Sequence, residues 1–316
     1  MYFDPSYFKE EERDGFVIKP MIKRAWAAQL EVLAEIDKIC KRHNIQYYAE
    51  YGTLLGAVRH GGFIPWDDDM DIGMLRKDFV RFQSFAQTEL PEPFKFLSIH
   101  NHNHKHFIAR VINGYEIKTT PEHMEQFHSC PFVVGIDIFI TDNIPLDKEE
   151  EKLQLELLGI TNTLGNEWHK HEMSDEEKED CLQQIEELCK VSFDREKPIP
   201  PQLFELADKI SAMYWDIDAK EVTLYPKLFH NENYRLPSSC FEMTIEVPFD
   251  VISIPIPIGY HDILCRRYGK KYMTPIQYSD HGYPFFKDQQ QILINEFKER
   301  GMLAPDWLID EFEEVK

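Results

Sequence analysis

Residues 51–73 constrain the fold of this chain more than any other stretch: Tyr51-Gly-Thr-Leu-Leu-Gly-Ala-Val-Arg-His-Gly-Gly-Phe-Ile-Pro-Trp-Asp-Asp-Asp-Met-Asp-Ile-Gly73. It joins a small-residue turn to four carboxylates. Asp69 and Asp71 alternate with Met70 and Ile72. On a strand, alternate residues share a face. Two carboxylates then point one way while Met70 and Ile72 enter a core. Carboxylates held side by side on a rigid strand repel each other unless a cation lies between them. The pattern predicts a divalent-cation site for phosphate chemistry. A Gly-Thr turn just before it, Gly52-Thr53, lets backbone N–H groups come close to a phosphate. Carboxylate ligands suit Mg²⁺ or Mn²⁺, as one or two ions.

The spacing Asp67-x-Asp69-x-Asp71 also begins like a calcium loop. Such a loop requires Gly at its sixth position and Glu at its twelfth. Here those positions hold Ile72 and Asp78, which argues against a calcium-binding module.

Composition bounds the partners. The chain has 316 residues, 43% hydrophobic and 13% aromatic, with a net charge of −21. That suffices for a sizeable core. So acidic a surface repels nucleic-acid backbones and argues against a polybasic membrane anchor. No apolar run reaches the roughly 20 residues of a membrane span, and the first ten residues do not read as a signal peptide. The six cysteines, at 40, 130, 181, 189, 240 and 265, form no CxxC pair. Reduced thiols in a cytoplasmic protein are expected.

Periodicity predicts a helix over Pro20–His43, with Trp26, Leu30, Leu33, Ile36 and Ile39 on its apolar face and charged residues on a solvated one. A strand is expected over 45–51, a short helix over 53–59, a strand over 69–74 and a helix over 77–89. Further strands are expected at 94–99, 106–112 and 115–119. The apolar run at 132–140 contains one carboxylate, Asp137. A lone Asp there is costly unless paired or ligating, which makes it a candidate third ligand. From 147 to about 215 the chain reads as helical, with a break at 197–201 and Ser174 as a helix N-cap. Strands return at 242–247 and 251–254, then a helix over Tyr260–Tyr268. His100, His102, His104 and His106 alternate, but their Asn and Lys spacers favour an exposed loop. Trp66, after Pro65, reads as packing, with stacking on a base or an ammonium as the alternative.

The motif Gly52-Thr-Leu-Leu-Gly-Ala-Val-Arg-His60 with Phe63-Ile-Pro-Trp-Asp-Asp-Asp-Met-Asp-Ile72 resembles the LicD family of phosphotransferases, which is related to fukutin and fukutin-related protein. The likeness continues at Asp137-Ile-Phe-Ile-Thr-Asp142, where Ile140-Thr141 replaces the family's common Pro-Leu. It resumes at Pro255-Ile-Pro-Ile-Gly-Tyr260, at Tyr268-Gly-Lys-Lys-Tyr-Met273 and at His281. The resemblance implies an α+β fold: a nucleotidyltransferase-like mixed sheet flanked by helices. Its catalytic core would occupy 1–146, a mainly helical insertion 147–236, and a C-terminal part completing the core 237–316. It implies Mg²⁺ on Asp69 and Asp71, with Asp137 completing the set as a ligand or as the base. Gly52, Thr53, Arg59, His60, Trp66, Asp142 and His281 are the candidate substrate-binding residues. The implied reaction moves a phospho-alcohol from a CDP-activated donor to a hydroxyl of a glycan or its lipid-linked precursor and releases CMP. A lipid-linked acceptor would draw the protein to the inner face of the membrane. The same carboxylates would serve a nucleotidyltransferase that attacks an NTP and releases pyrophosphate.

Overall fold

The structure, a computed structural model, describes all residues except 101–107, 171–172, 279–281 and 310–316. In chain order, β1 (Glu11–Arg13) and β2 (Phe16–Ile18) form a hairpin, followed by α1 (Pro20–His43), β3 (Tyr48–Ala49) and α2 (Tyr51–Arg59). Next come β4 (Met70–Leu75), α3 (Arg76–Glu89), β5 (Lys95–Leu97), β6 (Ala109–Ile112), α4 (Pro121–Gln126) and β7 (Gly135–Asn143). The helices α5 (Lys148–Glu167), α6 (Asp175–Cys189) and α7 (Ile199–Ser211) follow, then β8 (Glu221–Thr223), α8 (Tyr225–Leu228) and β9 (Leu236–Pro237). The last elements are β10 (Thr244–Phe249), β11 (Ile252–Pro257), α9 (Tyr260–Tyr268) and α10 (Lys287–Glu299). The fold is α+β, as expected.

The chain divides into two compact units. The first comprises Met1–Phe96, Arg110–Phe139 and Cys240–Lys316. Its sheet follows the order β3-β4-β7-β6-β5, with β3 and β4 antiparallel through Tyr48 opposite Gly73 and Ala49 opposite Ile72. Gly73 lets the Tyr48 ring lie against β4, because a Cβ at 73 would overlap that ring. Met70, Ile72 and Met74 are buried while Asp69 and Asp71 keep solvent contact, which is the alternation read from the sequence.

Helix α1 spans the residues predicted for it. Pro20 sits in its first turn, Asn44 caps its end in the left-handed region, and Lys41, Arg42 and His43 face the negative end of its dipole. Its solvated face is narrower than the charge pattern suggested. Lys23 and Gln29 are buried, Lys23 in an ion pair with Glu11. Trp26 stacks flat on Phe63, ring centroids 4.6 Å apart, and Phe249 of the β10–β11 hairpin packs edge-on against Phe63 at 5.0 Å. The hairpin turn meets the turn after α2, where Asp250 N–H donates to Gly61 O at 2.8 Å.

Three local expectations change. The strand at 45–51 shrinks to β3, because Ile45 N–H is bound to Cys40 O and Tyr51 already starts α2. No strand forms at 115–119. There Lys118 N–H donates to Pro131 O at 2.9 Å in an irregular segment. The Pro-rich run at 197–201 opens α7 rather than only interrupting the helices, since proline costs no hydrogen bond in a first turn.

The second unit comprises Leu97–Ala109 and Ile140–Ser239. Helices α5, α6 and α7 bury Leu158, Leu182, Leu203 and Ile210 in one cluster with Tyr225. Gln154 Nε2 donates to Ile210 O at 2.7 Å, and Tyr225 OH donates to Gln154 Oε1 at 2.5 Å. Ser174 caps α6 through a reciprocal box with Glu177. The end of β7 belongs to this unit, where Asp142 and Asn143 pair with Thr223 and Val222 of β8. Among the described residues, no helix is long and apolar enough to cross a membrane.

Candidate active site

Two elements of the first unit bring the acidic loop to α2. From α1, Trp26 Nε1 donates to Asp67 O at 3.0 Å and Gln29 Nε2 donates to Asp68 O at 2.7 Å. From the C-terminal part, Phe285 N–H donates to the Asp68 carboxylate at 2.6 Å. Asp68 is fully buried and acts as a clamp between distant segments. The backbone of Asp71 is bracketed: its N–H donates to Thr53 Oγ1 at 2.8 Å, and its carbonyl accepts from Glu50 N–H at 3.0 Å. The first turn of α2 and the acidic strand β4 are thereby locked together. Gly52 leaves room for the Asp67 side chain at this point. A Cβ there would run into the Asp67 carboxylate.

The carboxylates form one electrostatic group. One oxygen each from Asp67, Asp68 and Asp69 lie within 4.8 Å of one another, close enough to share a cation. Asp71 has its carboxyl pKa pushed well above the usual range, first by the protein packed around this half-buried residue and then by the charges of Asp69, Asp137 and Asp67. Arg110 of β6 works in the opposite direction. It grips Asp137 of β7 with two bonds, Nη2 to Oδ2 at 2.9 Å and Nε to Oδ1. The protein mass around Arg110 disfavours its charge, but Asp137, Asp69 and Asp71 outweigh that and raise its pKa.

Asp69, Asp71 and Asp137, separated by up to 68 positions in sequence, thus act on one another, and Gly52 and Thr53 adjoin them. Arg59 Nη1 donates to Tyr272 O at 2.9 Å, and the Asp67 charge acts on its half-buried guanidinium. His60 has a buried side chain with Nε2 3.2 Å from Asp14 Oδ2. Burial and the neighbouring Arg59 lower its pKa against the opposing pull of Asp14. Trp66 is 3% exposed, edge-on to Phe16 and His60, and packs in the core. Asp142 is buried in the second unit, where its charge helps to raise the Tyr225 hydroxyl pKa after burial itself. His281 lies outside the described residues, as do His102, His104 and His106. His100 is described, and its Nε2 pairs with Asp208 Oδ2 at 2.9 Å in the second unit. All six cysteines are free.

Three contributors were not read from the sequence. Asp67 entered only as one acid of the motif and of a calcium spacing, with no role of its own. Arg110 had no motif around it. Arg267 of α9 forms a buried ion pair with Glu50 and lies over the Tyr51 ring, 4.7 Å from its centroid, at the start of α2. Burial lowers the Arg267 pKa to about 10. Its position directly before Tyr268-Gly269 was the available signal.

Residues 44–158 match the family model LicD/FKTN/FKRP, nucleotidyltransferase domain. The lipopolysaccharide cholinephosphotransferase LicD of Haemophilus influenzae is 49% identical over 116 residues, covering 37% of this chain and 42% of that protein. A Rickettsia typhi protein of undescribed activity is 40% identical over 148 residues, 45% of this chain and 46% of that protein. Human ribitol 5-phosphate transferase FKRP is 53% identical over 34 residues, 11% of this chain and 7% of that protein. The chain spans less than half the length of these relatives. The matched stretch contains the Gly-Thr turn, the acidic strand, Arg110 and Asp137, and over it this chain is similar to the nucleotidyltransferase domain of the LicD family.

Proposed function

We propose that this protein is a phosphotransferase that moves a phospho-alcohol from a CDP-activated donor to a hydroxyl of a glycan or its lipid-linked precursor and releases CMP. The observation that carries the reading is the mutual action of Asp67, Asp69, Asp71 and Asp137, with one guanidinium among them, beside the first turn of α2. The donor set is entirely carboxylate oxygen, which fits Mg²⁺ or Mn²⁺ better than a softer metal. Asp69 and Asp71 would hold the ion, with Asp137 completing the set. A bound divalent ion would neutralise charge on the diphosphate and on the leaving CMP.

The remaining parts follow from the chain's own groups. The first-turn N–H groups of α2, at Gly52 and Thr53, have no acceptor within the helix and suit phosphate oxygens. Arg59 supplies positive charge near Asp67 in an otherwise acidic protein. In the reaction, the acceptor hydroxyl oxygen forms a bond to the phosphorus bearing the alcohol. The bridging P–O bond breaks, and its electron pair leaves with CMP. The hydroxyl proton passes to a carboxylate of the cluster. The named activities of the relatives, cholinephosphate transfer and ribitol 5-phosphate transfer, support a phospho-alcohol as the transferred group. A lipid-linked acceptor would place the enzyme at the inner face of the membrane.

The test is product analysis. Purified protein with Mg²⁺ is incubated with CDP-choline, CDP-ribitol, CDP-glycerol or an NTP, with glycan acceptors present. The expected product is CMP from one CDP donor, with at least a thousandfold loss in Asp71→Asn, since removing a ligand charge disables the charge-stabilising step. Pyrophosphate from an NTP would instead identify a nucleotidyltransferase. Normal turnover by Asp71→Asn would sink the site assignment.

A further inference from the structure

Arg110 is placed where a divalent cation would need to act. It comes from β6, the sheet neighbour of β7, and crosses to Asp137. The route is built into β7. Gly135 and Asp137 are two residues apart on the strand and share a face. A Cβ at 135 would lie 3.2 Å from Arg110 Cδ, 3.0 Å from Val111 O and 2.8 Å from Ile112 Cγ2. Glycine at that position leaves a lane in which the arginine stem lies flat and delivers its guanidinium to the carboxylate. The side chain stays 44% exposed, so the group can turn toward solvent or a ligand without unpacking the core. Its two-pronged grip on a carboxylate is also the geometry that arginine offers to a phosphate.

We propose that Arg110 is an exchangeable counter-cation: it competes with the divalent ion for Asp137 and, once displaced, donates to the diphosphate of the donor. The inference rests on the cation-dependent reading above. Without an ion, Arg110 offsets the repulsion among the carboxylates. When an ion takes Asp137, the guanidinium loses its partner and faces the same space that the diphosphate enters. Ion and diphosphate then favour each other's binding, because each removes an obstacle to the other. The partner class is a diphosphate ester, and no change in the packed core is needed.

The two halves of the proposal have opposite signs, which separates it from a structural role. Mn²⁺ binding is measured by calorimetry and by the loss of the free-ion EPR signal, without nucleotide. CDP binding is then measured at saturating Mg²⁺. In Arg110→Gln, Mn²⁺ should bind about tenfold more tightly, as expected when one unit charge about 6 Å from a divalent ion is removed at the water-like dielectric of a half-exposed group. CDP should bind about tenfold more weakly, the loss expected for hydrogen bonds to a charged group. Arg110→Lys keeps the charge but loses the two-pronged grip, so its Mn²⁺ affinity should fall between the two. It also provides a measurable case should the glutamine variant fold poorly. Unchanged or weaker Mn²⁺ binding in both variants, with a wild-type protein that binds Mn²⁺, overturns the competition and leaves the cation site standing. Unchanged CDP affinity overturns the diphosphate contact. Absence of Mn²⁺ binding in the wild type overturns the cation reading and this inference together.

Discussion

Asp71 illustrates how a single residue is held among like charges by its surroundings. Its backbone is pinned at both ends, to Thr53 and to Glu50, so its carboxylate cannot withdraw from Asp69, Asp137 and Asp67. Gly52 is the neighbour most sensitive to change. Replacing it by Ala would place a methyl group against the Asp67 carboxylate, and that side chain would have to move. Gly52→Ala is therefore expected to lower kcat/KM by about a hundredfold, the cost of misplacing one group by about 1 Å. Its Tm should change by only a few degrees, since a single overpacked contact costs about 1–3 kcal/mol. Steady-state kinetics beside a thermal melt would check this. A Tm collapse matching the activity loss would make Gly52 a folding residue instead.

Among the elements, α5 shows charge used for packing rather than catalysis. Glu151 is buried on α5 and binds Arg235, which also binds Glu221 and Glu232 at 3.2 Å each. Burial works against the Glu151 carboxylate, but Arg235 and Lys148 outweigh it and hold its pKa below the ordinary 4.5. A depressed carboxylate stabilises the fold fully above its unfolded pKa and loses that contribution as pH falls through the folded value. Melting curves between pH 3 and pH 7 should thus show Glu151→Gln about 2–5 °C below wild type at neutral pH, with the gap closing below about pH 4.5. A gap that persists at the acid end would assign the loss to packing. The same element level explains the misread strand at β3. Its length was limited by the cap of α1 on one side and the first turn of α2 on the other.

At the scale of the whole molecule, an excess of acid meets a site that gathers acid further. The chain carries a net charge of −21, and four carboxylates of the first unit act on one another. A cation that binds only the folded state adds about 2.7 kcal/mol at a hundredfold excess over its Kd. Millimolar Mg²⁺ or Mn²⁺ should therefore raise the Tm by several degrees, and EDTA should reverse it. Matching the ionic strength with NaCl should give a smaller rise, because general screening acts on the whole surface and not on the cluster. The double variant Asp69→Asn, Asp71→Asn should melt at the same temperature with and without the ion. Equal shifts in wild type and double variant would place the cation elsewhere.

Local chemistry made much of this readable in advance. The period of α1, the alternation along β4, the Gly-Thr turn and the Ser174 cap each depend on neighbours a few positions apart, and such patterns are written directly in the chain. The acids Asp69 and Asp71 were legible because their apolar partners on β4 declare which face is buried. Asp137 was legible because a charge in an apolar run needs a reason. What waited for the tertiary structure were pairings across long separations. Arg110 reaches Asp137 across two strands, Arg267 reaches Glu50 across more than two hundred positions, and Asp68 holds Phe285 from the C-terminal part. No local period marks such partners, since their meeting depends on which strands become neighbours and on a glycine that leaves room between them. The sequence alone determined where the carboxylates stand on their own elements. The tertiary structure decided which positive groups balance them, because charges act through distance in space and not along the chain.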